Sequence, residues 1–173
     1  APVQGREIVH AAPMRANALD VIISEVAWGG TAVAYPTDEW IELYNPTSSA
    51  INLSGWTLIS SDSSPTINLT GTIPAGGYYL LERDDDNTIS DIAADQIYTG
   101  NLNNNPNGEI LTLRDNSLPI PNVIDTANSV TTARDGGSVT PGYLSMERVG
   151  VVADSVAAWT SNDGITRNGL AAN

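Results

Sequence analysis

Short runs in which apolar and polar residues alternate recur along the chain, separated by clusters of Gly, Pro, Asn, Ser and Thr. In residues 39–45 (EWIELYN), Ile41 and Leu43 fall on one face, with Trp40, Glu42 and Tyr44 on the other. Period-two alternation over a few residues marks half-buried β-strands. Residues 20–28 are apolar enough, through Val21, Ile22, Ile23 and Val26, to form a central strand, which Gly29-Gly30 breaks. Residues 51–60 form the next predicted strand, with Gly55 marking a bulge or a close backbone approach. A short edge strand is predicted at 66–69, and the Pro74-Ala75-Gly76-Gly77 turn leads into a strand at 78–83. Further strands are predicted at 109–114, 122–125 and 143–149. One helical turn is expected at 90–94, an Asn-rich turn at 101–108, loop at 131–142 and coil after residue 163. Many short strands and almost no helical periodicity predict an all-β sandwich.

The order ISEVAW, EWIELYN, INLSGWTL, IPAGGYYLLER, NGEILTLRD and NVID, followed by SMERV and Trp159, resembles the lamin tail domain family. That family is found at the ends of nuclear lamins and in many secreted bacterial proteins. The resemblance implies an immunoglobulin-like β-sandwich, here over residues 19–173, with residues 1–18 as an extended N-terminal arm. It assigns no catalytic role to any residue. It also leads one to expect a tight Asp-x-x-Gly hairpin where this chain has Leu118-Pro119-Ile120-Pro121.

Composition narrows the function. The 20 acidic residues outnumber the 7 basic ones, all arginine, and the net charge is −13. Phosphate backbones and anionic membranes would be repelled, which argues against nucleic-acid partners. Cysteine is absent, so thiolate zinc sites are excluded. Lysine is absent too, which excludes Schiff-base chemistry and Lys–Asn isopeptide cross-links. No apolar run is long enough to span a membrane. A chain opening APVQG, rich in Thr, Ser, Asn and Gly, fits a secreted, extracellular or cell-surface protein cut after a signal peptide.

Candidate chemistry is sparse. Asp84, Asp86 and Asp91 lie in an acidic loop that could offer oxygen ligands to calcium, although the spacing is not that of an EF-hand. The ordinary explanation of such a run is a solvated loop, and no other cofactor is indicated. Glu25, Glu42 and Glu147 sit within strands and could be brought across a sheet as an acid/base pair. More often such residues bond backbone groups or arginine, and Arg148 and Arg114 are available. His10 is alone and cannot build a zinc site. An enzyme is therefore not expected. Trp56 and Trp159 are expected in the core. Trp40 and Tyr44, opposite Ile41 and Leu43, are the candidate surface for a protein or carbohydrate ligand. Asn52 and Asn68 begin N-glycosylation sequons.

The arm suggests assembly. Glu7, Ile8, Val9, His10, Ala11 and Ala12 could form one short strand and add to an edge of a neighbouring sandwich. Such a contact is heterologous and would give a filament, layer or ring. The expected function is a non-enzymatic structural subunit that binds copies of itself. The alternative is a monomeric binding or targeting module of a secreted hydrolase or nuclease.

Overall fold

The structure, a computed structural model, describes residues 15–104, 108–129 and 143–162. The expected arm strand at 7–12, the loop at 131–142 and the coil after 163 lie outside the described residues. Among the described residues there are twelve strands: β1 (Ile22–Ala27), β2 (Trp40–Tyr44), β3 (Ile51–Asn52), β4 (Thr57–Ser60), β5 (Thr66–Asn68) and β6 (Thr72–Ile73). They continue with β7 (Tyr78–Arg83), β8 (Gln96–Tyr98), β9 (Leu111–Arg114), β10 (Val123–Ala127), β11 (Met146–Arg148) and β12 (Trp159–Ser161). A 3-10 turn at Val156–Ala158 is the only helical element among the described residues.

A six-stranded sheet runs β12-β11-β1-β2-β7-β8, and a four-stranded sheet runs β10-β9-β4-β5, with β3-β6 as a small third sheet. All pairs are antiparallel except β7–β8 at the edge of the larger sheet. Alternation explains the layering. Ile23, Leu43, Tyr79 and Leu81 from the larger sheet meet Leu58, Ile67, Leu111, Leu113 and Ile124 from the smaller one in a common core. Trp28 and Met146 complete that core, Trp28 with no exposed surface. This is an all-β immunoglobulin-like sandwich.

Two local departures matter. Residues 51–60 are not one bulged strand. Gly55, at φ +83, makes a turn in which the Trp56 amide donates to the Leu53 carbonyl at 2.8 Å, passing the chain from β3 to the four-stranded sheet. The predicted turn of helix at 90–94 is a hydrogen-bonded turn, and the acidic connection then feeds β8, which alternation over three residues could not reveal. At the end of β1, Gly30 sits at φ +78, and a Cβ there would lie 2.1 Å from the Tyr35 carbonyl oxygen. Only glycine can close that loop.

Candidate functional site

Arg15 is the first described residue and is already tied to the body. Its Nη2 donates to Asn122 Oδ1 at 3.1 Å and its Nε to Ser117 Oγ at 3.4 Å. Ala16 packs on the core, the Asn17 amide donates to Asp20 Oδ2 at 2.7 Å, and the Leu19 amide donates to the Ile124 carbonyl at 2.8 Å. Residues 15–20 are thus pinned against the β9–β10 hairpin before β1 begins. The hairpin is organised by Asp115, which is nearly closed to solvent. Its carboxylate accepts from the amides of Ser117 (3.1 Å) and Asn122 (2.6 Å), and from Ser117 Oγ and Asn122 Nδ2. These donors hold the Asp115 carboxyl below its ordinary value although burial alone would raise it. The missing Asp-x-x-Gly motif is therefore replaced by a side-chain clamp, with Leu118 and Ile120 exposed at the tip.

Beside this segment lies an open cleft of about 780 Å³, bordered by Arg15, Asp20, Asn52, Asn116 and Ser117, with Trp56 beneath. Its polar groups can donate and accept hydrogen bonds. Its two carboxylates, Asp20 and Asp115, are committed to local bonds, so the cleft suits binding rather than acid/base chemistry.

The structure does bring Glu25, Glu42 and Glu147 together. Cross-strand register sets Glu25 opposite Glu147 on one side and Glu42 on the other. All three are nearly closed to solvent, which denies a substrate access to them. Ser24 Oγ donates to Glu42 Oε1 at 2.5 Å, while Ser145 Oγ and Asn162 Nδ2 donate to Glu25 Oε1. Burial, with the Glu25 and Glu147 carboxylates adding to it, pushes the Glu42 carboxyl up to about 8.

Arg148, available in sequence as a partner for these glutamates, reaches across to Asp125. Its Nη2 lies 2.5 Å from Asp125 Oδ2 and 2.9 Å from the Thr126 carbonyl. Its Nη1 donates to the Val152 carbonyl at 2.8 Å, and its guanidinium carbon sits 4.2 Å from the Trp159 ring centroid. Asp125 also accepts the Ile23 amide at 2.8 Å, so one fully buried ion pair joins β11, β1 and β10. Trp159 in turn donates to Asp154 Oδ1 at 2.7 Å. Burial lifts the Asp125 carboxyl to about 6 against the pull of Arg148. It also lowers the Arg148 guanidinium.

The other predicted site residues fare differently. Trp40 is not an exposed surface residue: it is 4% exposed and packs with Ala27, Leu80 and Ile89 in a second apolar cluster. The cause is the loop after β7, which folds over this face. Glu82 draws it in by accepting the Ile89 and Thr88 amides at 2.9 and 3.0 Å. Tyr44 is half-buried and stacks on Tyr78 at 4.6 Å between centroids. Asp84, Asp86 and Asp91 are exposed and not gathered around a common point. Asp84 lies 3.3 Å from Arg83 Nε, and Asp86 accepts the Ala94 amide at 2.8 Å. Among the described residues no group of three or more His, Asp or Glu side chains is placed to hold a metal ion. Asn52 and Asn68 are both exposed. Glu7, Ile8, Val9, His10, Ala11 and Ala12 lie outside the described residues.

Sequence reasoning did not single out Asn45, Asp115 or Asp125 as organising residues. Asn45 is fully buried and its Nδ2 donates to the carbonyls of Ser49 and Pro74 at 2.8 and 2.9 Å. In the sequence only Pro46 beside it marks a turn; its partners at Ser49 and Pro74 come from the fold.

Two facing sheets, a closed apolar core and buried polar clamps define an immunoglobulin-like module. No helix among the described residues is long and apolar enough to cross a membrane. The Lamin Tail Domain family model matches residues 15–138, more than half of the chain, and the protein belongs to the lamin tail domain family. No curated protein matches the chain significantly. The family is an immunoglobulin-like one whose members are usually non-catalytic.

Proposed function

We propose that this protein is a non-enzymatic structural subunit of an extracellular or cell-surface bacterial assembly, joined to its neighbours by strand addition of the N-terminal arm. The observation that carries the reading is the fixed departure point of that arm. Arg15, Ala16 and Leu19 are anchored to the hairpin and core, so residues 1–14 attach at one defined place directly ahead of β1. A connector works when its root is rigid, because the geometry of each joint then repeats. The segment Glu7-Ile8-Val9-His10-Ala11-Ala12 has the composition of a short strand that can pair with a sheet edge.

The polar cleft favours a second reading, a monomeric binding or targeting module of a secreted hydrolase or nuclease. Negative-stain electron microscopy of the full-length protein beside a variant lacking residues 1–14 separates them. Filaments, layers or rings formed only with the arm support strand addition. Dispersed particles in both samples overturn it and leave the cleft as the working surface. The truncation stops before Arg15, because removing residues 15–18 would also damage the hairpin.

A further inference from the structure

Glu39 and Glu109 reach the same short stretch of chain from opposite sheets. Glu39 immediately precedes β2 in the larger sheet; Glu109 precedes β9 in the smaller one. Glu39 Oε2 accepts the Leu102 amide at 2.8 Å, and Glu109 Oε1 accepts the Asn103 amide at 2.9 Å. Two consecutive amides of the β8–β9 connection are therefore held by two carboxyl groups, each only 4% exposed. Leu102, 2% exposed, is pressed into the core between them.

The charges around this clasp do not balance. Arg83 Nη1 lies 3.2 Å from Glu39 Oε1, with Asp84 on the far side of the same guanidinium at 3.3 Å. Among the described residues Glu109 has no such cation beside it. Its neighbours are Asp62, within hydrogen-bonding reach from the β4–β5 connection, and Ser60 at the end of β4. Tyr98 of β8 also faces the two glutamates, and its hydroxyl is buried with no hydrogen-bond partner. The second Glu109 oxygen, Oε2, is likewise buried without a donor. An ionised carboxylate left so would be costly. A protonated one becomes a donor, and the Asp62 carboxylate is the acceptor at hand.

We propose that the Glu39–Glu109 clasp is a proton-operated latch on Leu102 and Asn103, closed while Glu109 shares a proton with Asp62 and opening as that proton is lost. Burial, opposed in part by the amide bonds, raises both glutamates from the ordinary 4.5 to about 7. In the open loop they regain water and ordinary acidity. Opening then releases protons between about pH 4.5 and 7, and each released proton raises the opening constant about tenfold per pH unit in that window. Above it the dependence levels off.

The test is amide hydrogen exchange by NMR on the full-length protein from pH 5 to 7.5. The protection factors of Leu102 and Asn103 are read at each pH, beside those of Ile41 and Leu81, which report opening of the whole core. The expected result is a Leu102 and Asn103 protection below that of the core and falling about tenfold per pH unit for each of the two protons released between about 5 and 7, with the slope about halved in Glu109→Gln. Protection that equals the core's, that does not change with pH, or that keeps the full wild-type slope in Glu109→Gln overturns the latch. Should Glu109→Gln not fold, Asp62→Asn decides, since Asp62 is exposed. Removing its charge must move the plateau to lower pH, and an unmoved plateau overturns the proposal.

Discussion

Arg148 and Glu109 are both ionisable side chains nearly closed to solvent, and both join segments from the two sheets. Arg148 is met by Asp125, three backbone carbonyls and the Trp159 ring. Glu109 is met by one backbone amide, a serine and another acid. The first arrangement compensates a buried charge with an opposite one. The second compensates it with a proton. The guanidinium keeps its charge, so that pair weakens only on acidification through about 6, where Asp125 takes up a proton, whereas the Glu109 proton is withdrawn as pH rises through about 7. At neutral pH one seam is therefore intact and the other conditional, although both are built from strand-end side chains.

The sharpest way to break the comparison is to remove the ion-paired seam. Arg148→Ala leaves Asp125 buried without its cation, and is expected to cost about 3–5 kcal/mol. Arg148→Lys keeps the charge but not the planar fork, and is expected to fall between wild type and Ala. Urea unfolding at pH 7.5, where Asp125 is ionised, measures both. In the double variant Asp125→Ala/Arg148→Ala the cost should be well below the sum of the two single changes, because neither partner is then left stranded. Additive costs would mean that Arg148 acts through packing on Trp159 and not through the pair.

A smaller effect is expected from titrating the conditional seam. Glu39 and Glu109 are raised to about 7 and Glu42 to about 8, each chiefly by burial. A carboxyl raised in the folded state stabilises it fully below the unfolded value and loses that contribution as pH rises through the folded one. Asp115 and Asp154 are lowered, so their contribution is present above 3.8 and is lost on acidification. The two trends place maximal stability in mildly acidic solution. Denaturant unfolding should show stability falling progressively between pH 5 and pH 8. Glu42→Gln should recover part of that loss at pH 8 and nothing at pH 5. A stability that rises from pH 5 to 8 would contradict the assignment of protons to these buried acids.

The contrast also explains what could be seen in the sequence. Strand alternation located β2 and β7 almost to the residue, and the motif order pointed to the family that matches residues 15–138. Those features are local: they depend on side chains two positions apart. Three-residue strands such as β8 and β12 carry too little alternation to register. Alternation put Trp40 and Glu42 on the outward face, which is correct, but outward was taken to mean exposed. What covers Trp40 is the 84–95 loop, held by Glu82 six and seven residues away from its amide partners. Likewise Glu39 and Glu109 each looked like an ordinary strand-end acid. Their convergence on Leu102 and Asn103 is a property of the closed sandwich, invisible before its two sheets are superposed.

The smallest expected effect separates charge from packing at Glu39. Arg83 is the cation beside that carboxyl, but its side chain is 17% exposed and it is shared with the more exposed Asp84. Partly solvated pairs of this kind contribute roughly 0–1 kcal/mol. Arg83→Gln should therefore cost up to about 1 kcal/mol at pH 8, where Glu39 is ionised and needs a counter-charge. At pH 5 the Glu39 carboxyl holds a proton, the attraction is gone, and the same variant should match wild type within error. An equal cost at both pH values would assign Arg83 to packing over the β7–β8 edge. A cost at pH 5 alone would reverse the protonation assigned to Glu39 and, with it, the distinction between the two seams.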